Sequence, residues 1–166
     1  MGGIKLPTGS TEETNSVGEL FEPERQPGSG STDVPLGGVI RWDGDAVDLR
    51  ANAVYVLRSE GDQSYRFGDL FSTALFLDLP LLKDEKGWGV DLSMDLNFQH
   101  EEAPEDHGVT VEDSGGDLLL LGPAWEVKRT DALSIFGNIL FPVFQDPNGF
   151  HQELDYVWNA GLKVAW

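Results

Sequence analysis

The chain has 166 residues and a formal net charge of −18, from 29 Asp and Glu against 11 Lys and Arg. Its length fits a single domain, and its charge excludes a nucleic-acid-binding protein, which needs a basic surface. The absence of Cys excludes disulfides, zinc–thiolate sites and a thiol nucleophile. The sequence contains no run of eighteen apolar residues, so no transmembrane helix is predicted. Residues 1–5 lack the apolar segment of a signal peptide.

Alternation of apolar and polar residues predicts a chain built from β-strands. Residues 1–7 offer only a short first strand. Seven longer strands are predicted at residues 36–42, 47–57, 70–81, 88–99, 117–128, 132–144 and 154–166. The clearest is 88–99, whose apolar positions are Trp88, Val90, Leu92, Met94, Leu96 and Phe98. Helical periodicity would not place apolar residues in this way.

The predicted connections alternate in length. Long loops, most of them acidic, cover residues 8–31, 58–69, 100–116 and 145–153. Short turns cover residues 43–46, 82–87 and 129–131. Long loops at one end and tight turns at the other are typical of bacterial outer-membrane barrels, with the long loops outside and the turns in the periplasm.

The expected fold class is therefore all-β: an antiparallel up-and-down transmembrane β-barrel, with residues 1–166 forming one domain or the C-terminal portion of one. About eight strands are expected, the first truncated, because a spanning strand needs about nine to eleven residues. Bacterial single-chain barrels have even strand numbers, so we expect a larger barrel that has lost its signal peptide and first strands. Pro123 and Pro142 lack the N–H that a strand ladder uses, and a bulge or local break is expected at Pro123.

The last predicted strand, residues 154–166, alternates throughout and stops on Trp166. Such a terminal aromatic resembles the signal read by the outer-membrane assembly machinery. The expected partners are therefore the lipid bilayer and that machinery, with a small-molecule solute as a further candidate.

Four strings resemble one family when taken together: Ile-Lys-Leu-Pro-Thr-Gly at 4–9, Phe-Glu-Pro-Glu-Arg-Gln-Pro-Gly-Ser-Gly-Ser at 21–31, Asn-Ala-Val-Tyr-Val-Leu at 52–57 and Phe-Pro-Val-Phe-Gln-Asp at 141–146. The set is similar to transporter-like outer-membrane proteins grouped as the "MetA pathway of phenol degradation" family. The resemblance extends over nearly all of this chain, which corresponds to only the C-terminal part of a typical member. The resemblance implies a channel or transporter in the bacterial outer membrane, for small solutes that include hydrophobic or aromatic compounds.

If a pore exists, its wall is expected to consist of the polar residues that alternate with the apolar ones along the strands. These residues are Asp48, Arg50, Asn52, Asp91, Ser93, Asp95, Asn97, Glu126, Lys128, Asn159 and Lys163. Mixed charges on such a wall tune selectivity. The same residues could instead pair across the interior of a closed barrel as structural ion pairs.

Aromatic residues near the strand ends predict interfacial girdles. They are Trp42, Trp88, Trp125, Tyr156, Trp158 and Trp166. Tyr65 and Phe67, in an outer loop, are candidates to contact an aromatic ligand.

No catalytic motif or cofactor fingerprint is present, so neither an enzyme nor a cofactor is predicted. One loop could hold a divalent cation through imidazole or carboxylate ligands. Its candidate ligands are His100, Glu101, Glu102, Glu105, Asp106 and His107. The alternative is a solvated acidic loop.

Two other readings of the whole chain remain open at this stage. In a soluble lipocalin-like barrel that binds a small apolar ligand, the apolar residues of the strands would face inward and the alternating polar residues outward. In a purely structural barrel, the acidic loops would attract cations and no solute would pass.

Overall fold

The computed structural model describes residues 1–84, 87–130, 132–148 and 153–165. The described chain is all-β, and its main element is one antiparallel sheet of seven strands in chain order. A smaller sheet of three two-residue strands and two short 3-10 turns, Pro23–Arg25 and Asp62–Ser64, complete the regular structure. Within the described ranges, no helix has the length and apolar character needed to cross a membrane.

The strands are numbered in chain order. The large sheet contains β1 (Val34–Asp43), β2 (Asp48–Leu57), β4 (Leu70–Lys83), β5 (Gly89–Glu101), β8 (Gly116–Thr130), β9 (Leu133–Pro147) and β10 (Val157–Val164). The small sheet contains β3 (Tyr65–Arg66), β6 (Glu105–Asp106) and β7 (Val109–Thr110).

The prediction of an all-β antiparallel fold is confirmed, but no closed barrel is found. β1 and β10 are the two edges of the large sheet, and no strand pairing joins them in the part of the chain that the structure describes. Strand ends also differ from the predicted ones. β9 continues to Pro147 and β10 begins at Val157, so the connection predicted at 145–153 starts later.

The short first strand predicted at residues 1–7 is present only as two isolated bridges, Gly2 with Leu36 and Lys5 with Asp33. The amide of Gly3 donates to the carbonyl of Pro35 at 3.0 Å, and the amide of Lys5 donates to the carbonyl of Asp33 at 2.8 Å. Residues 1–5 therefore run antiparallel beside the beginning of β1.

Proline interrupts the ladders at three places. Pro123 pairs with Met94 of β5 on one side. On the other side, the pairs between β8 and β9 skip from Leu121 to Ala124 without a change of register. The local break predicted at Pro123 is therefore confirmed. The bulge lies instead beside Pro142, where β9 carries one extra residue. A second bulge follows Pro80 in β4 and was not predicted. Both bulges fit the missing N–H of proline, which cannot donate to a ladder.

The large sheet has one apolar and one polar face, because residues paired across antiparallel strands project to the same side. The apolar face is formed by residues such as Leu49, Leu75, Leu92 and Ile135, and it is not covered by the rest of the described chain. Its exposed side chains include Ile40 at 75%, Leu162 at 63% and Trp158 at 66% of full accessibility. The polar face carries the alternate residues.

The connections at the two ends of the sheet differ. At one end, called the turn end, the described connections are tight. At the other, called the loop end, residues 8–33, 58–69 and 102–115 fold together into what we call the outer cap. Within the cap, β3 from one loop pairs with β6 from another. These loops are therefore structured against one another rather than extended separately into solvent.

Buried polar side chains join the outer cap to the N-terminal residues that run beside β1. Ser31 and Asp33 are 2% and 3% exposed. The Lys5 ammonium donates to the Asp33 carboxylate at 2.6 Å and to the Ser29 hydroxyl at 2.5 Å. Burial by itself would raise the pKa of Asp33, but the hydrogen bond and charge of Lys5, with Ser31 and Ser59, outweigh it and hold the pKa below its ordinary value.

A pH dependence follows from the lowered pKa of Asp33. The contribution of this carboxylate to stability is complete above its unfolded pKa, near 3.8, and is lost as the pH falls through the lower folded pKa. We expect the difference in unfolding free energy between the wild type and Asp33→Asn to be constant from pH 7 to about pH 5 and to shrink below about pH 4. Denaturant titrations in detergent across this range measure it. A difference that grows as the pH falls would contradict the assignment.

Candidate functional site

The eleven residues predicted as a pore wall all lie on the polar face. Nine of them line a single cleft of about 520 Å³ near the turn end: Asp48, Arg50, Asp91, Ser93, Asp95, Glu126, Lys128, Asn159 and Lys163. Asn52 and Asn97 line a second cleft of about 280 Å³ on the same face, closer to the loop end. Phe76 in β4 lines both clefts, so they lie next to each other on the polar face.

The large cleft also shows how the sheet is curved. Its lining includes residues from all seven strands of the sheet, from Arg41 in β1 to Lys163 in β10. A flat sheet would spread seven strands over about 29 Å, because neighbouring strands lie about 4.8 Å apart. Since a single cleft reaches side chains on all of them, we infer that the sheet is curled with its polar face inside the curve and its apolar face outside.

Three groups of hydrogen-bonded side chains cross the polar face from strand to strand. Together they form what we call the polar belt: Arg50, Asp78, Asp91, Ser93, Asp95, Glu126, Lys128, Ser134, Asn138 and Asn159. The belt spans β2 to β10, so every strand of the large sheet except β1 contributes to it.

The first group links β2, β4 and β5. The Arg50 guanidinium donates two hydrogen bonds to the Asp78 carboxylate, at 2.8 and 3.2 Å. The Ser93 hydroxyl donates to the same carboxylate at 2.6 Å. Arg50 also lies over the ring of Phe76, with its guanidinium carbon 4.9 Å from the ring centre. Bidentate pairing and stacking together fix the position of this guanidinium.

The second group links β5, β8 and β9. The Lys128 ammonium contacts the Asp91 carboxylate and lies 3.7 Å from that of Glu126. The Ser134 hydroxyl donates to Glu126 at 2.5 Å. One cation therefore serves two carboxylates on adjacent strands.

The third group links β5, β9 and β10 without a cation. The Asn138 amide donates to the Asp95 carboxylate at 3.1 Å, and the Asn159 amide donates to the oxygen of Asn138 at 2.9 Å. Asp95 reaches Asn138 across β8, where Gly122 pairs with Asp95 and Ala124 pairs with Asn138. These two small residues leave the space through which the side chains of β5 and β9 meet.

Several residues of this face were not predicted. Arg41, Phe76, Asp78, Phe136 and Asn138 also line the large cleft. A signal existed for Phe76 and Asp78, because both alternate with the apolar residues Leu75 and Leu77. The partners of Asn138 depend on the register between β5, β8 and β9, which the sequence pattern does not give.

Four of the six residues predicted as aromatic girdles lie near the ends of their strands. Trp42 is next to the end of β1 and Trp88 directly precedes β5, both at the turn end. Tyr156 and Trp158 lie at the loop end of β10, whereas Trp125 lies within β8. Trp166 is outside the described residues. Contact of these residues with a membrane interface stays a prediction.

Tyr65 is buried inside the outer cap, and Phe67 beside it is half-buried. The Tyr65 side chain packs edge-on against Phe67, with ring centres 5.0 Å apart. Its hydroxyl donates to the Glu24 carboxylate at 2.7 Å. Burial raises the pKa of Tyr65 far above its ordinary value, and the Glu24 carboxylate adds to this. A tyrosine in this setting stabilises the cap; its contact with an aromatic ligand stays a prediction.

The six residues predicted as metal ligands do not converge. His100 pairs with Asp117 at 2.7 Å, and His107 pairs with its neighbour Asp106 at 2.7 Å. Glu101 accepts a hydrogen bond from Arg58 at 2.5 Å, and Glu105 lies 3.8 Å from Arg66. Over the described ranges, no group of three or more His, Asp or Glu side chains is placed to hold a metal ion.

The fold and this surface define an amphipathic antiparallel β-meander with an apolar convex face and a charged concave face. Comparison of the chain with protein-family models, with curated proteins and with solved structures gives no match. The functional argument therefore depends on the geometry of these two faces.

Proposed function

We propose that this chain forms part or all of an outer-membrane β-barrel that conducts or transports small solutes, with the polar belt facing a water-filled interior. The observation that carries the proposal is the exposed apolar face on the convex side of a curled sheet. A fully buried large apolar side chain is worth about 1.5–3 kcal/mol relative to an exposed one. Leaving a whole face of them in water is therefore unfavourable, and lipid is the environment that suits it.

Strand length supports the same proposal. β4, β5, β8 and β9 contain 14, 13, 15 and 15 residues. A tilted strand needs about 9–11 residues to cross the hydrocarbon core of a bilayer. Strands in soluble proteins more often contain about five or six residues. These four strands are long enough to cross a bilayer and to extend beyond it at either end.

The direction of curvature favours this proposal over a soluble ligand-binding barrel. A lipocalin-like protein would curl around its apolar face and expose its polar face. In this chain the charged residues lie on the concave side, where Asp95 and Ser134 are each only 4% exposed. An apolar ligand would find charged groups there, whereas water and small polar solutes would find hydrogen-bond partners.

Membership of the "MetA pathway of phenol degradation" family, location in the bacterial outer membrane and recognition by the assembly machinery are parts of this proposal. Phe76 and Phe136 on the concave face would give an aromatic solute two rings to contact. This is in keeping with a transporter for hydrophobic or aromatic compounds.

Two neighbouring substitutions in β2 test which face meets lipid. Ala51 lies on the apolar face and Asn52 on the polar face. If the apolar face meets lipid, Ala51→Arg is expected to make folding into a bilayer less favourable by about 2–4 kcal/mol, as for arginine near the midplane of such barrels. Asn52→Arg is expected to cost less than about 1 kcal/mol, because its side chain would reach water.

The measurement is equilibrium unfolding of each variant in lipid vesicles, followed by tryptophan fluorescence. The two variants add the same charge to adjacent residues, so each is the control for the other. Equal costs, or a larger cost for Asn52→Arg, would contradict the proposed orientation. Cooperative folding of the wild type in plain buffer without detergent or lipid would contradict the membrane proposal as a whole.

A further inference from the structure

We propose that Asp95 makes the interior of this barrel selective for small cations, an inference that rests on the proposed function. Asp95 lines the large cleft on the polar face, and its carboxylate belongs to the third group of the polar belt. The chemical class that it would favour is a small cation, such as an alkali metal ion or a protonated amine.

Asp95 differs from the other carboxylates of the belt in its partners. Asp78 is paired with Arg50, whereas Asp91 and Glu126 share Lys128. Within the described ranges, Asp95 has no ammonium or guanidinium group within 4.0 Å, and its partner is the neutral amide of Asn138. The negative charge of Asp95 is therefore not neutralised by a contacting cation.

The charge balance of the whole large cleft has the same sign. Its lining holds five carboxylates and four cations: Asp48, Asp78, Asp91, Asp95 and Glu126 against Arg41, Arg50, Lys128 and Lys163. The cleft therefore has a formal charge of −1 when all nine groups are ionised. Rings of carboxylates in a pore wall favour cations over anions.

The position of the Asp95 side chain is fixed by its neighbours. It accepts a hydrogen bond from Asn138, and Asn138 accepts one from Asn159. The residue is also only 4% exposed, so its carboxylate lies among neighbouring side chains at the wall of the cleft. Its charge acts on an ion in the cleft through a medium whose effective dielectric constant is lower than that of bulk water.

The test is the reversal potential of the full chain in planar lipid bilayers under a tenfold KCl gradient. The wild type is expected to prefer K⁺ over Cl⁻. Asp95→Asn, which keeps an oxygen that can accept from Asn138, is expected to lower the permeability ratio of K⁺ to Cl⁻ at least twofold. Glu112→Gln is the matched control, because it removes the same charge from an exposed position in the outer cap, and no change in the ratio is expected.

The possible outcomes separate the two proposals. Pores with an unchanged ratio in Asp95→Asn, or with an equal change in Glu112→Gln, would overturn the role of Asp95 and leave the channel intact. Absence of pores in the wild type would overturn the proposed function, and this inference with it. If Asp95→Asn does not fold, Asn159→Asp provides the second variant. A carboxylate added at the other end of the third group is expected to raise the ratio, and an unchanged or lower ratio would overturn the inference.

Discussion

Replacing Asp69 by Ala is expected to lower the free energy of unfolding by about 3 kcal/mol, because it removes the acceptor shared by three donors at the loop end. Asp69 is 6% exposed. Its carboxylate accepts from the Arg58 amide at 2.8 Å, from the Tyr55 hydroxyl at 3.2 Å and from the Arg66 guanidinium at 3.3 Å. Without it, the Arg58 amide and the Tyr55 hydroxyl lose this acceptor, and the Arg66 guanidinium keeps only the carbonyl of Arg58 and the more distant Glu105. Denaturant unfolding in detergent measures the change.

The control is Glu60→Ala in the same loop, where the side chain is exposed. It removes the same charge and is expected to change the unfolding free energy by less than about 0.5 kcal/mol. Equal effects for the two variants would mean that the loss of charge, rather than the loss of the buried acceptor, sets the cost.

The second large effect is expected for Gly122→Ala in β8. A Cβ at this position would overlap the carbonyl oxygen of Ile139 and lie 2.8 Å from its carbonyl carbon and 2.9 Å from the Cα of Leu140. All three are backbone atoms of β9, so they cannot move aside as a flexible side chain could. The two strands must separate locally, and we expect a loss of about 3 kcal/mol or more in unfolding free energy.

Gly38→Ala in β1 provides the comparison for Gly122→Ala. A Cβ at Gly38 has no other atom within 4 Å, and its backbone does not need glycine. This substitution is expected to be neutral or slightly stabilising, since it reduces the freedom of the unfolded chain. If both variants lost the same stability, the close approach of β8 and β9 at Gly122 would not be the cause.

Alternation of residue types was sufficient to predict the strands and their two faces. The pattern of Trp88, Val90 and Leu92 assigns each residue of β5 to a face without knowledge of its neighbours. The same parity placed Asp95 and Asn97 on the polar face. These features depend only on the period of a single strand, which is a local property.

Contacts between strands and loops could not be predicted in this way. The link from Asp95 to Asn138 spans 43 residues and depends on small residues in the strand between them. The outer cap depends on close approach of distant backbones, as at Gly9, where a Cβ would lie 2.6 Å from the Cα of Gly28. The sequence around these glycines was interpreted as polar loop, because composition gives no information about which loops meet. The bulge after Pro80 was missed although the proline itself was visible.

The antiparallel order of the sheet also constrains any ring that contains it. Six successive antiparallel pairings separate β1 from β10, so these two edge strands run in the same direction. Direct contact between them would create a parallel pair within an otherwise antiparallel sheet. A ring with only antiparallel pairs requires an odd number of additional strands between the two edges. Residues 1–5, which run opposite to β1, already have the orientation that the first of these strands needs.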